Sequence, residues 1–527
     1  MEHLLTDDIL NLLRRIGDPL VDAKAKDVPA ATRDALMEKA REKGLDPLRN
    51  ADWLKDHAAE YDLEGLLKYG RTLPDPDLVK TACDLFARYG SEIAAALLLA
   101  ALPEAYAAGG GAKVLFQRSQ LIEGGEVSTK RILSTAQFVI WILTPGTLSP
   151  PVSHDMATYT YPQFDATERL WGELTGQALC ASLALRITHS LIRNAAPVVA
   201  VPVQPDAGSV PLNQEDLLAT LLSFSITVFE VLEKFGISWS EEEQEAYFYV
   251  WDRVGQTMGI GDFHVIATLT GVGSFEELRW KLRDYEERDP SADPGKGGDD
   301  TVTDEAEKET ATEEPGKGEG EAADSEAQKR GEAVPTGADA ITPAEVDDLF
   351  RGPRNRRVLR RIADMGTLRP RSVPEARVLL ARLRERMWTL DNDRPPNTEP
   401  YTYETFKEIL DDVSAGRILL RALVDAAVAQ LPPSQTTWPI AVIRQLVPPR
   451  VQNRLALGGT GPVGLISGIV NTQRDMVGSV ALRRMTASIL RQRATRVADS
   501  LFLYWYDQGQ LEIPGLRSAA LGYGVRK

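Results

Sequence analysis

The segment "LRITHSLIR" (185–193) sets one imidazole between two guanidinium groups. His189 follows Arg186 by three residues and precedes Arg193 by four, so all three share one face if the segment is helical. The flanking Leu183, Leu185, Ile187, Leu191 and Ile192 describe a well-covered apolar helix. A single neutral imidazole holds iron when a macrocycle supplies the other four ligands, which is the chemistry of haem. Haem carries two propionates, and arginine is the side chain best shaped to pair carboxylates. No acidic residue lies within the segment, so Arg186 and Arg193 are read as partners for carboxylates belonging to a cofactor. Without C-x-x-C-H the attachment would be non-covalent, as in haem b. The plainer reading of the same residues is a half-buried histidine with solvated arginines.

A second pair sits in "STKRILSTAQFVIW" (128–141), where Arg131 and Thr135 stand at i and i+4 ahead of Phe138, Val139 and Trp141. A guanidinium and a hydroxyl on one helix face can donate hydrogen bonds to dioxygen or hold a water. Alternatively, Thr135 bonds its own helix and Arg131 is exposed. His154 and His264 stand alone and read as structural. No H-E-x-x-H, nucleophile elbow, P-loop or strand-borne G-x-G-x-x-G is present. "GTGPVG" (459–464) has neither a preceding strand nor a lysine and reads as a loop. Cys83 and Cys180 are too few and too far apart for a cysteine zinc site or a disulfide framework.

These candidates must be positioned by helices. Residues 1–284 show helical periodicity almost throughout, and the predicted fold class is all-α. Asn213 is a cap with acids in the following turn, and Ser240 with Glu243 forms a capping box. The helix after Asn213 buries Leu217, Leu221, Phe224, Val228 and Leu232 and stops near Gly236; the next runs through Tyr247 and Trp251 towards Gly255 or Gly259. Residues 289–340 lack Leu, Ile and aromatics and hold 16 acidic against 5 basic residues, a difference of −11. Such a segment cannot offset its ordering entropy by burial and is predicted to be disordered.

That linker accounts for most of the net charge of −16, so the remainder carries no nucleic-acid footprint. The expected organisation is a helical core at 1–284, an acidic linker at 285–341 and a C-terminal helical part at 342–527. Its Arg-rich run 351–361 reads as a solvated helix face. The start of the chain lacks a basic region followed by an apolar run, and "IAAALLLAAL" (93–102) is short for a membrane span. The expected location is cytoplasmic, with room for peripheral membrane contact.

The order of the segments resembles the family of latex-clearing proteins, rubber oxygenases and the ER-bound oxygenase mpaB. The matching pieces are "GDPL" (17–20), "LPEAYAAGGGAKVL" (102–115), R-x-x-x-T at Arg131 and Thr135, and R-x-x-H-x-x-x-R at Arg186, His189 and Arg193. "PLNQEDLLATLLSFS" (211–225), the most specific piece, and "YVWDRVGQTMGI" (249–260) follow, with "LLRALVDAAVAQLPPSQTTWPIAVIRQLVPPRVQNRLAL" (419–457) near the C-terminus. The resemblance implies a globin-like haem-binding core that 400–460 would complete, with one haem b and His189 as proximal iron ligand. It places Arg186 and Arg193 around the haem and Arg131 and Thr135 on the distal side. Family members cleave carbon–carbon double bonds of polyisoprenoids with dioxygen, so the implied substrate is an apolar prenyl-type alkene.

Three features depart from the rubber-cleaving members. Their distal lysine is replaced by Ser134, and Glu123 and Glu126 are the nearest carboxylates upstream of Arg131. The segment 145–170 is also longer than expected between the two haem helices. The same residues would serve a haem-binding sensor or carrier without turnover, or a helical scaffold that has lost haem.

Overall fold

Asn213 caps the helix around which the others are arranged: its side chain accepts from the Asp216 N–H, as its position before an apolar run predicts. The computed structural model describes residues 4–27, 74–108, 135–148, 177–194, 210–288, 341–388, 412–455, 457 and 480–507. Every regular element among them is helical. The first helices are α1 (Asp7–Leu13), α2 (Pro19–Asp27) and α3 (Pro76–Ala96), which continues through a π-helical turn into α4 (Leu102–Ala107). A helical stretch at 135–142 follows, then α5 (Gln177–Asn194). Next come α6 (Gln214–Lys234), α7 (Glu241–Thr257), α8 (Phe263–Thr270) and α9 (Phe275–Arg288). Beyond the acidic segment lie α10 (Pro343–Arg351), α11 (Pro353–Met365) and α12 (Val373–Trp388). The last are α13 (Asp412–Val428), α14 (Trp438–Leu446), α15 (Pro449–Arg454) and α16 (Val480–Asp507).

α6 is buried along most of its length and apolar around much of its circumference, the pattern of a central helix. α3, α7 and α12 surround it. Phe229, Trp239 and Tyr247 interlock where α6 meets α7, with ring centroids 5.3–5.6 Å apart. The predicted Ser240–Glu243 capping box is present, and Gly236 ends α6 with a φ of +77°. Thr342 and Glu345 form a second capping box at the start of α10.

The run from Pro76 to Ala107 is long and apolar enough to cross a membrane by length and composition, but it packs against α6, α7 and α16 as a core helix. Its π-helical turn, Leu97–Ala101, ends two residues before Pro103. Proline lacks an N–H and crowds the carbonyl four residues earlier, so the helix widens there.

α10, α11 and α12 join the same hydrophobic cluster as the N-terminal helices. The Arg-rich run 351–361 is only partly a solvated face. Arg351 is exposed, but Arg356 is buried and donates to the Phe350 and Arg351 carbonyls at 3.0 and 2.8 Å.

Candidate functional site

Two stripes run side by side along α5. Leu185, His189 and Ile192, at i, i+4 and i+7, form a half-buried stripe. Arg186, Ser190 and Arg193 have the same spacing and form the adjoining stripe, which is fully buried. The three polar residues therefore stand on one side of the helix as predicted, but the arginines turn into the protein while the imidazole keeps partial access to solvent.

The reading of the arginines needs correction. Arg186 and Arg193 meet carboxylates of this chain, supplied by the N-terminal "GDPLVD" stretch. Arg186 grips Asp18 in a bidentate pair, Nε to Oδ2 at 2.5 Å and Nη2 to Oδ1 at 3.0 Å, while Nη1 donates to the Thr257 carbonyl at 3.2 Å. Arg193 grips Asp22 through Nε to Oδ2 at 2.9 Å and Nη2 to Oδ1 at 3.0 Å, and its Nη1 donates to the Leu212 carbonyl at 3.0 Å. Every nitrogen of both guanidinium groups is thus engaged within the chain. The segment itself holds no acid, and the partners lie some 170 residues earlier in the chain.

Burial drives the Asp18 carboxyl up, but the Arg186 charge and hydrogen bonds outweigh it and hold it below the usual range. Burial opposes the Arg186 charge as well, and Asp18 more than restores it. Asp262 is the second acid near Arg186, at 3.5 Å. It caps α8 by accepting from the His264 and Val265 N–H groups. Burial raises its carboxyl despite Arg186.

Close backbone approach makes these pairs fit. A Cβ at Gly259 would run into the Arg186 guanidinium, and one at Gly17 would meet Arg193 Cδ at 2.7 Å. Gln214, 1 % exposed, ties the loops together. Its Nε2 donates to the Gly17 carbonyl at 2.6 Å, and its Oε1 accepts from the Gly261 N–H at 2.9 Å. The Gln214 N–H donates to the Ile16 carbonyl at 2.9 Å. The "PLNQED" stretch is therefore a hub that joins the N-terminus to the α7–α8 turn. Leu212 holds a φ of +52° there, its carbonyl fixed by Arg193.

Thr135 is half-buried at the start of the 135–142 helical stretch. That stretch is tethered to α5, since the Leu179 N–H donates to the Thr147 carbonyl at 3.1 Å. Arg131, Ser134, Glu123, Glu126 and His154 lie outside the described residues, as do His3, His57 and the 459–464 loop.

Among the described residues no group of three or more His, Cys, Asp or Glu side chains is placed to hold a metal ion. The donor set at α5 is instead one imidazole flanked by half-buried Leu185 and Ile192. That set fits haem, a flat apolar macrocycle that brings four of its own ligands and needs one more.

The described residues thus define an all-α protein with an imidazole, His189, half-buried on a core helix that two buried ion pairs brace. Residues 89–278 match the family described as ER-bound oxygenase mpaB/B'/Rubber oxygenase, catalytic domain, the family that the motifs resemble. No curated protein matches the chain. A solved structure titled "Structure of Latex Clearing Protein LCP in the closed state" aligns with 92 % of this chain and 91 % of its own, at 12 % identity and a TM-score of 0.42.

Proposed function

We propose that the protein is a haem b-dependent oxygenase that uses dioxygen on an apolar alkene of the prenyl class. The observation that carries this reading is His189, half-buried between Leu185 and Ile192 on a helix inside the stretch that matches the oxygenase catalytic-domain family. When bound, haem supplies the redox-active iron needed for dioxygen chemistry. His189 would hold that iron. Arg186 and Arg193 act on α5 through their ion pairs, not as partners of the propionates. Thr135 and Arg131, four residues apart in the sequence, would supply hydrogen-bond donors for the dioxygen. The apolar side chains of Leu185 and Ile192 beside the imidazole favour a hydrocarbon substrate.

Absorption spectroscopy of the purified protein reconstituted with haemin tests the reading. The expected result is a Soret band at one haem per chain, altered by His189→Ala, together with oxygen uptake on prenyl alkenes. Absence of the band overturns the haem reading. A normal band without uptake on any apolar alkene assigns the protein to sensing or carriage. Thr135→Ala and Arg131→Ala are expected to lower turnover more than haem content.

A further inference from the structure

Asp18 and Asp22 lie outside the stretch that matches the oxygenase family, yet their carboxylates close on the helix that carries His189. The two clamps bracket the histidine along the chain, Arg186 just under one turn before it and Arg193 just over one turn after it. Both grip the same stripe of α5, so they fix its rotation about its own axis and its height along it. Each clamp is bidentate and buried, with both partners at or below 3 % side-chain exposure. Such pairs define orientation as well as proximity. A second set of bonds prevents them from sliding: Gln214 joins the loops at Gly17 and Gly261, and Gly17 and Gly259 leave no slack beside the guanidinium groups.

We infer that Asp18 and Asp22 are positioning residues for His189. Acting through Arg186 and Arg193, they set the rotation of α5 and so the direction in which the imidazole would meet a haem iron. The inference rests on the proposed role of His189 as iron ligand. Rotation is the sensitive coordinate. A side-chain tip about 5–6 Å from the helix axis moves roughly 2 Å for a 20° turn. That displacement exceeds the sub-ångström tolerance on which ligand and catalytic groups depend. The adjoining stripes convert a grip on one into an aim for the other: the arginines are drawn inward, and the imidazole is held at the boundary with Leu185 and Ile192.

The test uses the full-length protein reconstituted with haemin. Haem affinity, the Soret band and the iron–imidazole stretching band of the ferrous form are measured, and circular dichroism reports the fold. The variants are Asp18→Asn, Asp22→Asn, Arg193→Lys and His189→Gly, the last with and without added imidazole. The expected result is native helicity in the first three with at least a tenfold loss of haem affinity and a shifted or broadened iron–imidazole band. In His189→Gly that band disappears and returns with imidazole. If the clamp variants keep wild-type affinity and band position while His189→Gly loses both, the positioning role is overturned and the ligand assignment stands. If wild type shows no Soret band, or His189→Gly leaves it unchanged, the ligand assignment falls and the positioning role falls with it. Should Asp22→Asn fail to fold, the pair Asp22→Asn with Arg193→Met leaves no unpaired buried charge and is read by the same criteria.

Discussion

Arg384 reaches back 280 residues to Glu104, its Nη2 lying 2.7 Å from the Glu104 carboxylate inside the core. The same guanidinium bonds Glu230 at 2.8–2.9 Å and the Thr227 hydroxyl at 2.7 Å. Burial pushes the Glu104 carboxyl up even against the opposing Arg384 charge. A helix from beyond the acidic segment thus neutralises an acid on α4, within the stretch that matches the family. The described C-terminal helices share one hydrophobic interior with that stretch.

Removing the cation exposes this dependence. Arg384→Leu leaves Glu104 buried without its counter-charge, and breaking a buried pair costs about 3–5 kcal/mol. The double variant Arg384→Leu with Glu104→Gln is expected to recover much of that loss. Urea unfolding of the three proteins measures both effects. Equal destabilisation by the single and double variants would show that the pair is not coupled.

The covalent link through 289–340 is expected to be dispensable once the protein has folded. Arg15 pairs with Glu345, Arg386 with Glu215 and Asp7, and Arg369 with Asp252 at 2.7 Å. The Leu368 N–H donates to the Gly261 carbonyl at 2.9 Å and Thr367 Oγ1 to the same atom at 3.0 Å. With a specific protease site inserted in 289–340, the two cleaved pieces should co-elute on size exclusion and separate only in denaturant. Separation in native buffer would count against this.

Asp216 gives the stability a pH signature. Burial and the neighbouring Glu215 charge push its carboxyl up to about 7. The folded state therefore keeps a proton that the unfolded chain releases near 3.8. Its stabilising contribution is complete below the unfolded value and is lost as pH rises towards 7. Asp216→Asn removes this loss, so its Tm advantage over wild type should grow from pH 4 to 7 and level off above. A difference that is constant across the range would contradict the raised value.

Gly259 and Gly271 separate backbone strain from crowding. Both have positive φ, +69° and +66°, which costs a side chain about 1–2 kcal/mol. At Gly271 the nearest atom to an added Cβ is Val346 Cγ1 at 3.8 Å, so alanine meets little beyond that strain. At Gly259 the same Cβ displaces the Arg186 guanidinium from Asp18. Thermal unfolding should show Gly259→Ala losing clearly more than Gly271→Ala, and equal losses would mean Arg186 relocates without penalty.

Much of the local structure was legible along the chain. Asn213, the Ser240–Glu243 box and Gly236 act within one or two turns of themselves, and the boundaries of α6 and α7 fall where these residues predict. The face shared by Arg186, His189 and Arg193 was equally legible, because helical periodicity alone dictates it. What the arginines bond was not. Their segment contains no acid, and nothing in local spacing says that Asp18 and Asp22 return to it from the N-terminus. The Arg356 side chain shows the same limit, since a charge run reads as solvated until packing folds one member inward. Sequence determines which residues share a helix face, through bonds that span three or four positions. Only the tertiary structure decides which charges meet, because a buried ion pair depends on where distant backbone segments are brought together.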